Sequence, residues 1–340
     1  MRAKGVGEDV HPQLSLLDLA TVGRDQPVSE ALADTVTLAQ RADELGAFER
    51  LWFAEHHNMG RIASAATSVL IAHVAARTER IRVGSGGVML PNHSPLVIAE
   101  QFGTLAELHP GRIDLGLGRA PGTDGQTMRA LRTDPRAAES FPQDVRELQG
   151  YLADESLVEG IHAYPGRGTR VPLYILGSSL FGAQLAAAYG LPYAFASHFA
   201  PDALEQAVRV YRERFTPSEQ LAAPHVIAAA NVIAADDSAT AQAARERVLR
   251  ARVRMLAGRV GGGQIDDAMV DSLMDTAVGA QARHMLTHTI AGDADEVAAG
   301  LRDFAALADA DEVMLTNPAP DLKLRIRTLE ILAGLREPAV

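Results

Sequence analysis

The segment Leu51-Trp52-Phe53-Ala54-Glu55-His56-His57-Asn58 is the stretch that decides the fold. Its apolar first half contains the chain's only tryptophan and predicts a short buried strand. Its second half brings three titratable side chains to the end of that strand. Adjacent residues of an extended segment point to opposite sides, so we expect only one of His56 and His57 to face a central cavity. The alternative is two histidines satisfied by hydrogen bonds at a strand end.

The rest of the chain repeats one unit, a strand followed by a helix. The other predicted strands lie at 14–19, 81–90, 112–117, 173–176, 193–196, 226–234 and 312–316. Ser29 is expected to cap the first helix, 123–136 is expected to be an irregular loop, and 237–285 a mostly helical insertion with a turn at Gly261 to Gly263. Eight such units predict an α/β fold, a (β/α)8 TIM barrel with loop insertions, in a single domain over residues 1–340. A doubly wound sheet is the alternative architecture.

Composition narrows the class of partner. The chain has 340 residues, of which 47% are hydrophobic and 22% charged, as in ordinary globular proteins. The formal net charge of -11 argues against nucleic acid or an anionic membrane as partner, so a small molecule is expected. The absence of cysteine excludes disulfides and thiolate sites. No run approaches the ~20 apolar residues of a membrane span, and the first residues lack a signal-peptide core, so we expect a cytoplasmic protein.

Unusual residues gather where the predicted strands end, which is where a (β/α)8 barrel carries its function. They are His56, Gly86, Gly87, Arg119, Ser178, Ser179 and His198, with Asp18 and His93 as weaker candidates. Adjacent histidines do not suit the ligand geometry of a barrel metal site, so no metal is expected.

A phosphate site is predicted after the fifth strand. Ser178 and Ser179 follow Gly177 and precede a helix, whose N-terminus attracts anions. Arg119, after the fourth strand, can add a bidentate cation. The alternatives are plain helix capping for the serines and a surface ion pair for the arginine. Together these residues suggest a bound phosphate monoester.

The third strand carries Gly84, Gly86 and Gly87, so part of it has no side chains. A bare backbone lets a planar ring approach closely, whereas the alternative is a bend at a barrel corner. A flat wall beside a phosphate site suggests a flavin mononucleotide. The glycines at 116–122 lack the G-x-G-x-x-G spacing of a dinucleotide fold, and no P-loop motif occurs.

Four motifs resemble those of the bacterial luciferase-like flavin monooxygenases, and most closely their alkanal-monooxygenase-like subgroup. The motifs are Ala54-Glu55-His56-His57, Val83-Gly84-Ser85-Gly86-Gly87-Val88-Met89-Leu90-Pro91, Pro110-Gly111-Arg112-Ile113-Asp114-Leu115-Gly116-Leu117-Gly118-Arg119 and Gly190-Leu191-Pro192. The resemblance runs from about Leu14 to Phe199 and resumes from Ile290 to Leu335. It implies a barrel that takes reduced FMN (FMNH2) from a separate flavin reductase and uses O2 to oxidise a small organic substrate. It also implies a homodimer.

The same resemblance assigns roles to individual residues. His56 matches the catalytic histidine near the reactive edge of the flavin. Gly86 and Gly87 match a non-proline cis peptide beneath the isoalloxazine, with Ser85 beside them among the cofactor contacts. The phosphate site is matched by Arg119, Gly177, Ser178 and Ser179.

Two features keep other functions open. The luciferase cysteine beside the flavin is absent, and 236–288 does not match the luciferase mobile loop, so aldehyde oxidation and light emission are not implied. Related barrels bind the deazaflavin F420 and transfer hydride without O2, which makes an F420-dependent oxidoreductase the first alternative. A non-enzymatic flavin-binding protein is the second.

Overall fold

The computed structural model describes residues 12–120, 123–134, 136–261, 265–319 and 321–335. Within these ranges the strands are β1 (Gln13–Asp18), β2 (Arg50–Phe53), β3 (Arg82–Met89), β4 (Ile113–Gly118), β5 (Leu173–Gly177), β6 (Tyr193–Phe195), β7 (Val226–Ala234), β8 (Thr289–Gly292) and β9 (Glu312–Thr316). The helices are α1 (Val28–Leu45), α2 (Thr67–Ala75), α3 (Pro95–Leu108), α4 (Gly125–Ala130), α5 (Phe141–Ala153), α6 (Leu180–Tyr189), α7 (Leu204–Arg214), α8 (Ser238–Gly261), α9 (Asp267–Leu273), α10 (Ala277–Met285), α11 (Ala294–Leu307) and α12 (Leu322–Gly334).

The strands form a closed parallel ring. Their order is β6-β5-β4-β3-β2-β1-β9-β7, and a further pairing of β6 with β7 closes it. This arrangement confirms the predicted (β/α)8 barrel. The remaining strand, β8, pairs in parallel only with residues 231–234 of β7 and lies outside the ring.

The structure differs from the sequence prediction at three places. The N-cap of α1 is Pro27 rather than Ser29. The segment predicted as an irregular loop contains α4, because the Asp124 carboxylate accepts hydrogen bonds from the first backbone N–H groups of that helix. Strand β8 was not predicted, because its four residues gain regular pairing only from the far end of β7.

The insertion between β7 and β8 is helical, as predicted, and consists of α8, α9 and α10. The turn predicted at Gly261 to Gly263 falls at the end of α8; Gly262 and Gly263 lie outside the described residues. No helix among the described residues is long and apolar enough to cross a lipid bilayer.

Alternate residues of each strand fill the barrel interior, as the two-residue period of a strand requires. One apolar cluster inside the ring includes Trp52, Tyr174, Ile227 and Met314. A larger cluster, which includes Phe53 and Phe102, packs between the outer face of the ring and the helices.

The lower end of the barrel, where the strands begin, is closed by a buried network of charges. Arg50, the first residue of β2, donates from Nε to Glu312 Oε1 at 2.9 Å and from Nη1 to Asp114 Oδ2 at 2.7 Å. The same Nη1 donates to the Tyr174 hydroxyl at 2.7 Å. Arg82 donates from Nε to Asp114 Oδ1 at 3.0 Å. The network therefore ties β2 to β3, β4, β5 and β9.

Glu312 is the most enclosed acid of this network. It is fully buried, and its Oε1 accepts a hydrogen bond from the Ser15 hydroxyl. Its Oε2 lies 3.0 Å from His225 Nε2. Burial by itself would raise the pKa of Glu312, but the bond to His225 and the charge of Arg50 hold the pKa below its usual value. The carboxylate is therefore ionised and its negative charge is compensated inside the barrel.

We expect Glu312→Gln to lower the free energy of unfolding by about 3–5 kcal/mol, because it leaves the buried guanidinium of Arg50 undercompensated. Glu330→Gln is the control, since Glu330 forms ion pairs with Arg41 and Arg327 at the surface and should change stability by less than about 1 kcal/mol. Urea unfolding followed by circular dichroism gives both values. Equal effects of the two substitutions would contradict a structural role for the network.

Candidate functional site

The predicted site residues lie at the upper, carboxyl end of five consecutive strands. His56 follows β2, Gly86 and Gly87 lie near the end of β3, and Arg119 directly follows β4. Gly177 ends β5 and is followed by the two serines, and His198 follows β6. Because these strands are neighbours in the ring, the fold collects the residues on one rim of the barrel.

The two adjacent histidines follow β2, whose Arg50 and Trp52 point into the ring. The same alternation, continued beyond the strand, predicts that His56 faces the barrel and His57 does not. The Nε2 atom of His57 lies 2.8 Å from Glu55 Oε1. The positive charge of His56 is one of the causes that lower the pKa of His198, which follows β6 on the opposite side of the ring.

Glu55 holds together a cluster that sequence reasoning did not single out. Its Oε1 interacts with Nε2 of both His57 and His93, each at 2.8 Å, and its Oε2 accepts a hydrogen bond from the backbone N–H of Met89 at 3.1 Å. The carboxylate therefore ties the end of β2, next to His56, to the end of β3. The only signal in the sequence was the position of Glu55 between an apolar strand and two histidines.

Among the described residues, Glu55, His57 and His93 also form the group of donor atoms that could hold a metal ion, with ligand atoms within 4.8 Å of one another. In the structure the two imidazoles already converge on one carboxylate oxygen. A cation would have to replace both hydrogen bonds. We therefore interpret the group as a positioning cluster.

Glu55→Gln should lower the free energy of unfolding by about 1–3 kcal/mol at neutral pH, because the single oxygen of an amide cannot accept from both the imidazoles and the Met89 N–H. Burial raises the pKa of Glu55, but hydrogen bonds from His93, His57 and Met89 bring it below its usual value. A carboxyl with a lowered pKa stabilises the fold above about pH 4 and loses that effect as the pH falls through its folded pKa. The difference between wild type and variant should therefore shrink below about pH 4 in urea unfolding. A difference that is constant across the pH range would contradict this account.

Gly86 and Gly87 form a bulge in β3. Ser85 pairs with Leu115 and Val88 with Leu117, so two residues of β3 oppose one residue of β4. The peptide bond between the two glycines is cis, as the family resemblance implied. The bend that was the alternative reading of these glycines is thus present, and it lies at the rim where the other candidates gather.

Side chains at these glycines would collide with the barrel itself. A Cβ on Gly86 would lie 2.8 Å from Leu17 Cδ1 and 2.9 Å from Trp52 Cβ, and a Cβ on Gly87 would lie 2.7 Å from the Gly116 carbonyl oxygen. Packing therefore requires bare backbone here before any ligand is considered. It also places the indole of Trp52 directly beneath the glycine pair.

Arg119 lies over the N-terminal end of α6. Its guanidinium is 4.0 Å from the ring centroid of Phe181, in the first turn of that helix. No ion pair to a carboxylate is formed by Arg119 within the described part of the chain, so the predicted alternative of a surface ion pair is not observed. The cation is held on an aromatic face.

The serines beside Arg119 are not used for helix capping. Ser179 is the N-cap of α6, yet its side chain makes no capping hydrogen bond, and both Ser178 and Ser179 are exposed. The Tyr193 hydroxyl donates to the Ser179 carbonyl at 3.0 Å and fixes the turn. The N-terminus of α6 is thus exposed, its N-cap hydroxyl is unused for capping, and a guanidinium lies over its first turn.

The remaining candidates have structural partners. The Ser85 hydroxyl is buried and donates to the Gly116 carbonyl at 2.9 Å, so only the Ser85 backbone is available at the rim. Asp18 is bound by Thr35 and Arg325 at 2.9 Å each and ties β1 to α1 and α12. A surface cavity of about 310 Å³ lined by Asp236, Asp293 and Arg327 among others contains none of the predicted site residues.

Fold and site together define a class: a (β/α)8 enzyme whose strand ends carry a histidine, a glycine bulge and an exposed helix N-terminus with an arginine over its first turn. A family model described as luciferase-like monooxygenase matches residues 13–311. The chain belongs to the luciferase-like monooxygenase family, and it is a flavin-dependent monooxygenase by class.

Individual relatives agree with this assignment. A luciferase-like monooxygenase of Escherichia coli strain K12 is 44% identical over 324 residues, which cover 95% of this chain and 96% of the relative. The crystal structure of apo-MsnO8 superposes with a TM-score of 0.83 at 33% identity and covers 96% of this chain and 97% of that chain.

More distant structures share the fold and differ in cofactor. The oxygenating constituent of 3,6-diketocamphane monooxygenase from Pseudomonas putida, in complex with FMN, has a TM-score of 0.72 at 16% identity and covers 95% of this chain and 97% of that chain. An F420-dependent secondary alcohol dehydrogenase has a TM-score of 0.69 at 16% identity, and the match covers 96% of this chain and 100% of that chain. The fold therefore accommodates a flavin or a deazaflavin.

Proposed function

We propose that this protein oxidises a small organic substrate with O2 and FMNH2, and that a separate flavin reductase supplies the FMNH2. The observation that carries the proposal is the exposed N-terminus of α6, where Ser179 makes no capping hydrogen bond and the Arg119 guanidinium lies over Phe181. A helix N-terminus and a guanidinium are what a phosphate monoester needs. Bound there, reduced FMN supplies the electrons with which O2 is activated.

The protein's own groups have three tasks in this proposal. The side-chain-free backbone of the glycine bulge in β3 would form the wall against which the planar ring lies, with the backbone of Ser85 at its edge. Gly177 leads into the phosphate site without a side chain. His56 faces the same rim and can exchange a proton with reacting groups near neutral pH, as an imidazole does.

The first experiment separates the FMN function from its alternatives. Anaerobic titration with FMNH2 and with reduced F420 can be followed by the fluorescence of Trp52, the only tryptophan, which lies beneath the glycine pair. We expect tight binding of FMNH2 and its rapid oxidation when air is admitted in the presence of an oxidisable substrate. Preferential binding of F420 without O2 consumption would favour the hydride-transfer alternative, and FMN binding without turnover of any substrate would favour a flavin carrier.

Arg119→Ala should weaken FMN binding about 10- to 100-fold, the range for losing a charge-assisted hydrogen bond. Riboflavin, which lacks the phosphate, should lose little affinity. Arg170→Ala is a matched control, because Arg170 pairs with Glu219 at the surface and is not among the site residues. Trp52 fluorescence titration measures all affinities, and equal losses for FMN and riboflavin would remove Arg119 from the phosphate site.

His56→Ala should retain FMN affinity and lose about 10²- to 10⁴-fold in oxygenation rate, the usual range for a general acid or base. His73→Ala, on the exposed face of α2, is the control and should keep both properties. The rates are measured as substrate-dependent O2 consumption. An oxygenation rate equal to wild type in His56→Ala would refute the catalytic role.

Assembly and location follow the family resemblance and are proposals of the same kind. We expect a homodimer, which sedimentation velocity can test on the purified protein. We also expect a cytoplasmic location with access to a reductase, which fractionation of the producing cells can test.

A further inference from the structure

His198 stands directly across the barrel from His56. The ring order places three strands between β2 and β6 in either direction, so these strands are opposite each other. His198 follows β6 by three residues, and His56 follows β2 by three. Both residues therefore lie at the upper end of the barrel, on opposite sides of the ring.

The segment that carries His198 is firmly held. Asn231 of β7 donates from Nδ2 to the His198 carbonyl at 2.7 Å, and Thr316 of β9 donates to Asn231 Oδ1 at 2.6 Å. The hydroxyl of Ser197 donates to the Ala229 carbonyl at 2.6 Å. The imidazole packs edge-on against Phe199, with ring centroids 4.8 Å apart. The backbone is thus fixed from β7 and β9, so the ring has a defined place.

One polar atom of this fixed ring is unused. His198 Nδ1 is buried and has no hydrogen-bond partner among the described residues. Buried polar atoms in proteins are normally paired, so an unpaired one at a rim where ligands bind indicates a partner from outside the chain. Nothing in the proposed chemistry of the flavin uses this atom.

We propose that His198 binds the oxidisable substrate, with Nδ1 hydrogen-bonding to an oxygen-bearing group on the side of the barrel mouth formed by β6, β7 and β9. This inference rests on the proposed FMN function. The cofactor residues follow β3, β4 and β5, so the flavin occupies the other side of the mouth. The substrate then lies between His198 and the flavin, with His56 opposite.

Charge defines the class of substrate. Burial, followed by the positive charges of Arg252 and His56, lowers the pKa of His198 to about 3, so its imidazole is neutral at physiological pH. Arg252 belongs to α8, the first helix of the insertion that follows β7. With the proton of the neutral imidazole on Nδ1 and the positive charge of Arg252 acting on the ring, a carboxylate or another hydrogen-bond-accepting oxygen is favoured and an ammonium group is disfavoured.

The test uses the full-length protein loaded with FMN and three isosteric probes: hexanoate, 1-hexanol and hexylamine. Isothermal titration calorimetry should give the affinity order hexanoate, 1-hexanol, hexylamine. His198→Phe should weaken hexanoate at least tenfold and leave hexylamine unchanged, and His198→Gln, which keeps a polar side chain, should recover part of the loss. His73→Phe, on the exposed face of α2, is the matched control and should behave as wild type.

A second measurement does not depend on calorimetry. In protein labelled with 15N-histidine, the His198 resonances are those missing from His198→Gln, and the Nδ1 resonance should shift when hexanoate is added. Absence of that shift, or hexylamine binding as tightly as hexanoate, overturns the inference. A tenfold loss of FMN affinity in His198→Phe also overturns it, because the residue would then belong to the cofactor site. If the unaltered protein does not bind FMN, the proposed function is wrong. That result comes from the FMN titration alone, so it is distinguishable from a failure of the His198 proposal in the probe experiments.

Discussion

The buried guanidinium of Arg50 is the constraint on which the barrel depends. A cation inside a closed ring is tolerated only if acids from several strands surround it, and Asp114 and Glu312 supply them from β4 and β9. Because β4 and β9 lie on opposite sides of β2, satisfying this one charge pulls distant parts of the sheet together. The network therefore holds the lower ends of the strands together on both sides of β2.

The two ends of the barrel differ in how completely their polar groups are paired. At the lower end Arg50, Glu312 and Asp114 satisfy each other. At the upper end Glu55 is satisfied, whereas the Arg119 guanidinium rests on an aromatic ring, Ser179 caps nothing and His198 Nδ1 has no partner among the described residues. The exposed helix N-terminus and the unpaired His198 Nδ1 are therefore the groups at this rim that a ligand could pair. Glu55 supports that rim, because it fixes the end of β2 beside His56 against the end of β3.

In the two proposals the strand ends divide the rim between two ligands. The glycine bulge lies in β3, and Arg119 and the serines follow β4 and β5. The network of Asn231 and Thr316 that holds His198 belongs to β7 and β9. His56 follows β2, the neighbour of β3 in the ring. In the proposed reaction this leaves the cofactor on one side, the substrate on the other, and the histidine where a proton can reach either.

Periodicity, composition and motif order in the sequence were enough for the barrel, because it depends on local spacing and on the repeat of strand and helix. His56 as the inward histidine, and Arg119 with the serines as an anion site, stay predictions from the residues that follow each strand. Strand β8, the Glu55 cluster and the network around Asn231 were not predictable, since each depends on partners far apart in the chain: β8 needs the end of β7, Glu55 needs His93, and Asn231 needs Thr316. Only the folded structure shows why Gly86 must lack a side chain. The atoms that exclude one belong to Leu17 and Trp52, which lie on the neighbouring strands β1 and β2. Local sequence determines which residues reach the rim; only three-dimensional packing determines which of them are already paired and which are left for a ligand.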